Sequence, residues 1–147
     1  MTDAAGSSST SPFAVHAIAP TTNDNVTVTV PAEGAYLALL RMVTAGLAAR
    51  LDFNVDEIED FKIAVDEACA MLLAQAVPGS DVRVSFTIER KDTLAIEVSV
   101  ATMDGQEPSR DTFSWTVLTA LAGDVDSRAD IEKVVTVTLR KSRSGNG

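Results

Sequence analysis

Among 147 residues there is one cysteine, one histidine, one tryptophan and one tyrosine. A lone Cys69 excludes an internal disulfide and a cysteine-rich metal site, and a lone His16 brings it no second ligand. Cations are scarce as well. Twelve Lys and Arg face 21 Asp and Glu, the formal net charge is −9, and no stretch gathers basic residues onto one face. Affinity for nucleic acid rests largely on cationic side chains releasing counterions, so direct binding to a phosphate backbone is disfavoured. No apolar run approaches the ~20 residues that span a bilayer. The opening MTDAAGSSSTSPF has neither the cationic start nor the apolar core of a secretory signal. Together these absences predict a soluble cytoplasmic protein. The acidity leaves two readings open: simple solubility, or steering towards a basic surface on a partner.

What is present is a globular balance, 46% hydrophobic and 22% charged, in a length that suits one domain with its own core. The Ser-, Thr- and Ala-rich start predicts a flexible leader over 1–24, and the end of KSRSGNG a flexible tail over 142–147. The folded domain is expected over 25–141. NVTVTVP (25–31) alternates strictly, the period of a strand. From Glu33 to Leu51 apolar residues recur every three or four positions, the spacing of one helical face, with Arg41 just off its centre. Asn54 and Glu57 form the capping-box pair that opens a second helix, expected to run to about Val77 before PGSD stops it. VRVSFTIER (82–90) and LAIEVSV (94–100) read as a hairpin turning at Lys91–Asp92–Thr93. A polar loop (102–111), a short helix (112–123) and a last alternating strand (133–141) complete the chain. Strands beside grouped helices predict an α+β two-layer sandwich, its sheet covered by helices on one face.

The second helix carries the least ordinary residues. Ile58, Phe61, Val65, Cys69, Leu72 and Ala76 fall on one stripe at 100° per residue, plainly the core face. Asp60, Ile63, Glu67, Met71 and Ala74 fall on the other, an unusual mixture for a face in open water. Glu67 is there either a paired acid on a half-buried helix or a general base lining a cleft, and periodicity does not choose between them.

VDEIEDFKIAVDEACAMLL, with the preceding VPAEGAYLALLRMVTAGLAARLDF, resembles the RsbW/SpoIIAB family of bacterial anti-sigma factors. The likeness runs from about Asn25 to Lys141 and is strongest over 30–77. It implies the GHKL (histidine-kinase-like ATPase) fold, a two-layer sandwich with a mixed, mostly antiparallel sheet. It further implies a serine kinase that uses ATP and Mg²⁺, and a homodimer that binds an alternative sigma factor and a STAS-domain anti-anti-sigma protein.

The chemistry of that family sits in short motifs. A Glu that orients the attacking hydroxyl is followed four residues later by an Asn that holds Mg²⁺. Here the Glu is Glu67, the general base of any surviving activity, but Met71 takes the Asn position. A thioether is a poor ligand for a hard cation that demands oxygen, so no metal ligand is assigned. Of the adenine-reading D-x-G-x-G only Asp104–Gly105 remains, and Ser114–Trp115 replace the glycines that cradle phosphate. The late Gly–Thr pair before the final strand is Val134–Val135. These four changes predict kinase activity that is weak or lost, because phosphoryl transfer depends on Mg²⁺ and backbone donors. The resemblance also implies that Arg41, in YLALLRMV, contacts the sigma factor and its competing antagonist. A third possibility is a binding scaffold that has lost its ATP site.

Overall fold

The computed structural model describes residues 23–144. All of the expected leader except Asn23 and Asp24, His16 included, lies outside the described residues, as does 145–147 of the expected tail. In chain order the elements are β1 (Asp24–Pro31), a 3₁₀ turn (Gly34–Tyr36), α1 (Leu37–Arg50), α2 (Val55–Leu73), β2 (Asp81–Glu89), β3 (Thr93–Ala101), α3 (Phe113–Ala122), β4 (Asp124–Ala129) and β5 (Val134–Ser142). The five strands form one sheet in the order β1-β2-β3-β5-β4. Every pairing among the described residues is antiparallel, where a mixed, mostly antiparallel sheet was expected.

Strand periodicity and register together make the two layers. Val28, Val84, Val98 and Val137 stand opposite one another across four strands, and so do Val30, Val82, Val100 and Val135. A third row runs Val26, Phe86, Ile96, Leu139 and Val125. These rows face the helices and, except at the edge strands, are almost wholly buried. The alternate rows are polar: Thr29–Arg83–Ser99–Thr136–Arg128 and Thr27–Ser85–Glu97–Thr138–Asp126. The sheet thus has one dry face and one wet face, as a period of two requires.

The helices close the dry face. Leu40, Thr44 and Ala48 of α1 are buried, and so are Phe61, Val65, Cys69 and Leu72 of the expected core stripe of α2. Phe61 meets Phe53 edge to face, with ring centroids 5.1 Å apart. Burying one such ring contributes about 1.5–3 kcal/mol. At the start of α2 the capping box is complete: the Glu57 N–H donates to Asn54 Oδ1 (2.8 Å) and the Asn54 N–H to Glu57 Oε1 (2.9 Å).

The main departures from expectation are two boundaries and one element. α2 stops at Leu73 rather than near Val77, because the chain beyond it is drawn to the end of β3. There the Val77 N–H donates to the Ala101 carbonyl (2.9 Å) and Ala76 bridges Thr102. The β2–β3 turn comes one residue early, at Arg90–Asp92, with Arg90 and Lys91 at positive φ (52° and 66°) and Thr93 already buried in β3. β4 was not expected at all. It is an edge strand, DVDSRA, in which Val125 alone of the core-facing residues is packed against the core, Ala129 at its end being exposed. A strand paired on one side only needs little apolar content, so alternation does not reveal it.

Candidate functional site

Consecutive carboxylates in the middle of α2 hold the two neighbouring helices. Asp66 turns towards α1 and Glu67 towards α3, as their 100° separation on the helix requires. Both oxygens of Asp66 accept from Arg41 Nη1, at 2.9 and 3.0 Å. The pair is half-buried, each side chain 38% exposed. On the other side the Ser114 hydroxyl donates to Glu67 Oε2 at 2.7 Å. Ser114 is in the first turn of α3, whose N-cap is Thr112; the Thr112 hydroxyl oxygen accepts from the Trp115 N–H at 3.1 Å.

Trp115 is itself buried in the core, its ring covered by the Arg110 guanidinium 4.6 Å from the centroid. Arg110 continues to Asp126 Oδ1 of β4 at 2.8 Å, and this hydrogen bond holds the Asp126 carboxyl below the usual carboxylate range. Ser127, next along, donates to Glu107 at 2.6 Å. The loop between β3 and α3 is therefore fastened to the edge strand at two points. Its first turn is fastened too. The Gly105 N–H donates to Thr102 Oγ1 (2.9 Å), Thr102 donates to the Lys133 carbonyl (2.8 Å), and Asp104 Oδ1 accepts from the Gln106 N–H (3.0 Å). Gly105 has φ +70°, and a Cβ there would stand 3.1 Å from Lys133 Cγ. Asp104 and Gly105 thus build a tight turn against Lys133.

Met71, one turn beyond Glu67, is half-buried and packs against the core. Cys69, on the opposite stripe, is buried, and burial followed by the nearby Asp66 charge pushes its thiol up to about 12. Two clefts lie elsewhere. One, of about 490 Å³, is on the wet face of the sheet among Arg83, Ser99, Thr136 and Arg128. The other, of about 590 Å³, lies by the end of α1 among Arg50, Lys91 and Arg143. Glu67 lines neither.

The outer side of α1 is the remaining feature of this region. The helix reads LALLRMVTAGLAAR, and its only charged residues are Arg41 and Arg50. Ala38, Leu39, Met42, Gly46 and Ala49 are exposed, Leu39 by 44% and Met42 by 70%. A helix apolar on both its buried and its outer side is suited to being covered.

The sequence and the fold have relatives. Over 105 residues the chain is 36% identical to a protein of Mycobacterium tuberculosis called anti-sigma-F factor RsbW, a match covering 71% of this chain and 62% of the relative. Over that stretch the chain is similar to RsbW. Over a shorter stretch of 53 residues it is 40% identical to serine-protein kinase RsbW of Bacillus thuringiensis and of Bacillus cereus, covering 36% of this chain and 33% of theirs. The fold matches a crystal structure of the RsbU and RsbW domains of Rv1364c from Mycobacterium tuberculosis, with a TM-score of 0.67 and 13% identity. That match covers 84% of this chain and 34% of the other. The α+β sandwich of helices on an antiparallel sheet is accordingly a fold shared with that structure, consistent with the GHKL type that the sequence resemblance implied. No protein-family model matches the chain.

The residues of this chain do not fit a Mg²⁺-nucleotide at the positions where its resemblance would put one. Met71 offers sulfur where oxygen is required. The glycines that would approach phosphate are Ser114, already bound to Glu67, and Trp115, whose side chain is in the core and whose N–H is taken by Thr112. Val134 and Val135 open β5, where Val135 is buried opposite Val100. Two partnerships escaped the sequence reading, Arg41 with Asp66 and Glu67 with Ser114. The only signal for them was that Asp66 and Glu67 lie on opposite flanks of a helix that had to pack beside two others.

Proposed function

We propose that this chain is an anti-sigma factor that binds an alternative sigma factor through α1 and is released when a STAS-domain anti-anti-sigma protein competes for the same surface. One observation carries the reading: the outer side of α1 is apolar and exposed along its length, and Arg41 stands at its border. Apolar strips of this kind with an arginine at the edge suit a desolvated interface, in which Arg is among the commonest hot spots. The name of the mycobacterial relative supports a sigma factor as the occupant. The formal charge of −9 supports a partner surface with basic character around the contact. Sequestration needs a complementary surface and no chemistry, so it outlives the loss of a nucleotide site. A homodimer, a cytoplasmic location and a single domain over 25–141 between flexible ends accompany the proposal.

The test is titration of the full chain with each alternative sigma factor of the same genome, beside Arg41→Ala. One sigma factor should bind, and the substitution should weaken it by about 2 kcal/mol, roughly 30-fold. Failure of every sigma factor to bind would refute the proposal.

A kinase that phosphorylates the antagonist, with Glu67 as base, is the second reading; the names of the Bacillus relatives favour it. Asp104 and Gly105 would then be adenine contacts. Against it stand Met71 and the engagement of Glu67 by Ser114. Transfer of labelled phosphate from Mg·ATP to a STAS protein, abolished by Glu67→Ala, would establish it.

A further inference from the structure

The way Asp66 holds Arg41 is more selective than an ordinary surface ion pair. A guanidinium carries five N–H groups in a rigid plane, two of them on each terminal nitrogen and one on Nε. Asp66 takes Nη1 alone, with both oxygens. The Nε and Nη2 donors, which lie along one edge of the plane, are not used by any hydrogen bond among the described residues. That edge is the one which meets a second carboxylate with two parallel bonds.

The surroundings add to this. On α1, Ala38 and Ala45 lie one turn either side of Arg41, and Met42 follows it. On α2, Ile63 and Ala70 lie one turn either side of Asp66, both exposed. The ion pair is thus flanked by small and apolar residues from two helices, with Lys62, also one turn before Asp66, paired instead to Glu59 at 3.0 Å, and a partner covering this patch would remove water from its immediate neighbourhood. In such a place a charge-assisted pair gains strength, and a floppy arginine would lose more side-chain entropy on docking than one already held.

We infer that Asp66 is a positioning residue for docking: it fixes Arg41 through Nη1 so that the Nε–Nη2 edge is presented to an acidic side chain of the partner. The inference rests on the docking role of α1 argued above and names the chemistry of its central contact. It also fixes a sign. If Asp66 merely masked Arg41, its removal would free the arginine and tighten binding. As a positioning residue, its removal loosens Arg41 and weakens binding, even though a negative charge is taken away from the site.

The experiment measures affinity for the sigma factor bound by the wild-type chain, using the full chain as wild type, Asp66→Ala, Asp66→Asn, Arg41→Ala and the double substitution of Asp66 and Arg41 by alanine. Thermal melts of each variant report folding. Asp66→Ala should weaken binding about tenfold. Asp66→Asn, which keeps one acceptor for Nη1, should recover part of the loss. In the Arg41→Ala background, Asp66→Ala should have no further effect, which a general structural role would not predict. Tighter or unchanged binding by Asp66→Ala, or equal losses in both backgrounds, would overturn the inference and leave the docking reading intact. Absence of binding by the wild type to every sigma factor would overturn both.

Discussion

Removal of a single hydroxyl tests whether α3 is latched to α2. Ser114→Ala deletes the donor that stands 2.7 Å from Glu67 Oε2. A hydrogen bond to a charged group contributes about 1.5–3 kcal/mol when enclosed. Here both side chains are half-buried, so water replaces part of what is lost. The expected cost is about 1 kcal/mol, the middle of the range for ordinary intramolecular bonds. For a domain of this size that lowers the melting midpoint by roughly 3–5 °C. Urea titration is the better assay, because it separates a change in midpoint from a change in slope. The decisive quantity is the coupling between Ser114→Ala and Glu67→Gln. Residues in direct contact should deviate from additivity by at least ~0.5 kcal/mol, whereas independent sites add to within about 0.3–0.5 kcal/mol. An additive pair with an unchanged slope would refute the reasoning: Ser114 would be solvated, and α3 would be held without it, chiefly by the burial of Trp115, Leu118 and Ala122.

Three further outcomes follow from the same packing. Titrating the full chain with Mg·ATP should give no heat and no shift in melting, because Met71 and Ser114 take two of the positions a nucleotide needs; binding at micromolar strength or tighter would show that other residues rebuild the site. Glu57 is held below its ordinary range: burial opposes its charge, but hydrogen bonds from the Asn54 and Ser144 amides and the Ser144 hydroxyl, and the Lys141 charge, outweigh it. Its contribution to stability is therefore complete above the ordinary glutamate value of about 4.3 and lost as pH falls through the lower folded value, so Glu57→Gln should flatten the acid limb of a stability-against-pH curve. A thiol pushed up to about 12 leaves Cys69 almost wholly protonated at pH 8, so a disulfide reagent should react only after denaturation; rapid native labelling would contradict the burial of that stripe.

The layers of the fold were legible because each rests on a period. NVTVTVP, VRVSFTIER and KVVTVTLRK alternate, and in the sheet their valines fall into continuous rows. Asn54 and Glu57 announced the start of α2 because a cap is a local bond between residues three apart. Neither the end of α2 nor the existence of β4 was legible. Ala76 and Val77 leave the helix for bonds with Thr102 and Ala101, and DVDSRA becomes a strand by pairing with Val135 to Arg140. Such choices are made by a partner distant in sequence, and propensity does not contain it. The candidate site divides in the same way. Met71 declared its chemistry by residue type alone. The partner of Glu67 did not, since Ser114 is 47 residues away and reads as a lost glycine rather than a donor.

The adjacency of Asp66 and Glu67 would explain how the proposed docking surface could persist beside a pocket that has changed. Each carboxylate sits on its own flank of α2 and serves a different helix, with no hydrogen bond shared between the two pairs. Substitutions around Glu67, such as methionine at position 71 or serine at 114, alter the α2–α3 side and leave the Arg41–Asp66 geometry in place. The backbone between them is a capped 19-residue helix whose core stripe is buried, so a change on one flank has little freedom to displace the other. Two effects would reveal a link if one existed. Ser114→Ala would change affinity for the sigma factor, or Arg41→Ala would change the stability coupling between Ser114 and Glu67. Independence of the two, each within about 0.5 kcal/mol, is what this geometry requires. Measurable coupling between them would mean that α2 transmits the state of the old pocket to the docking face.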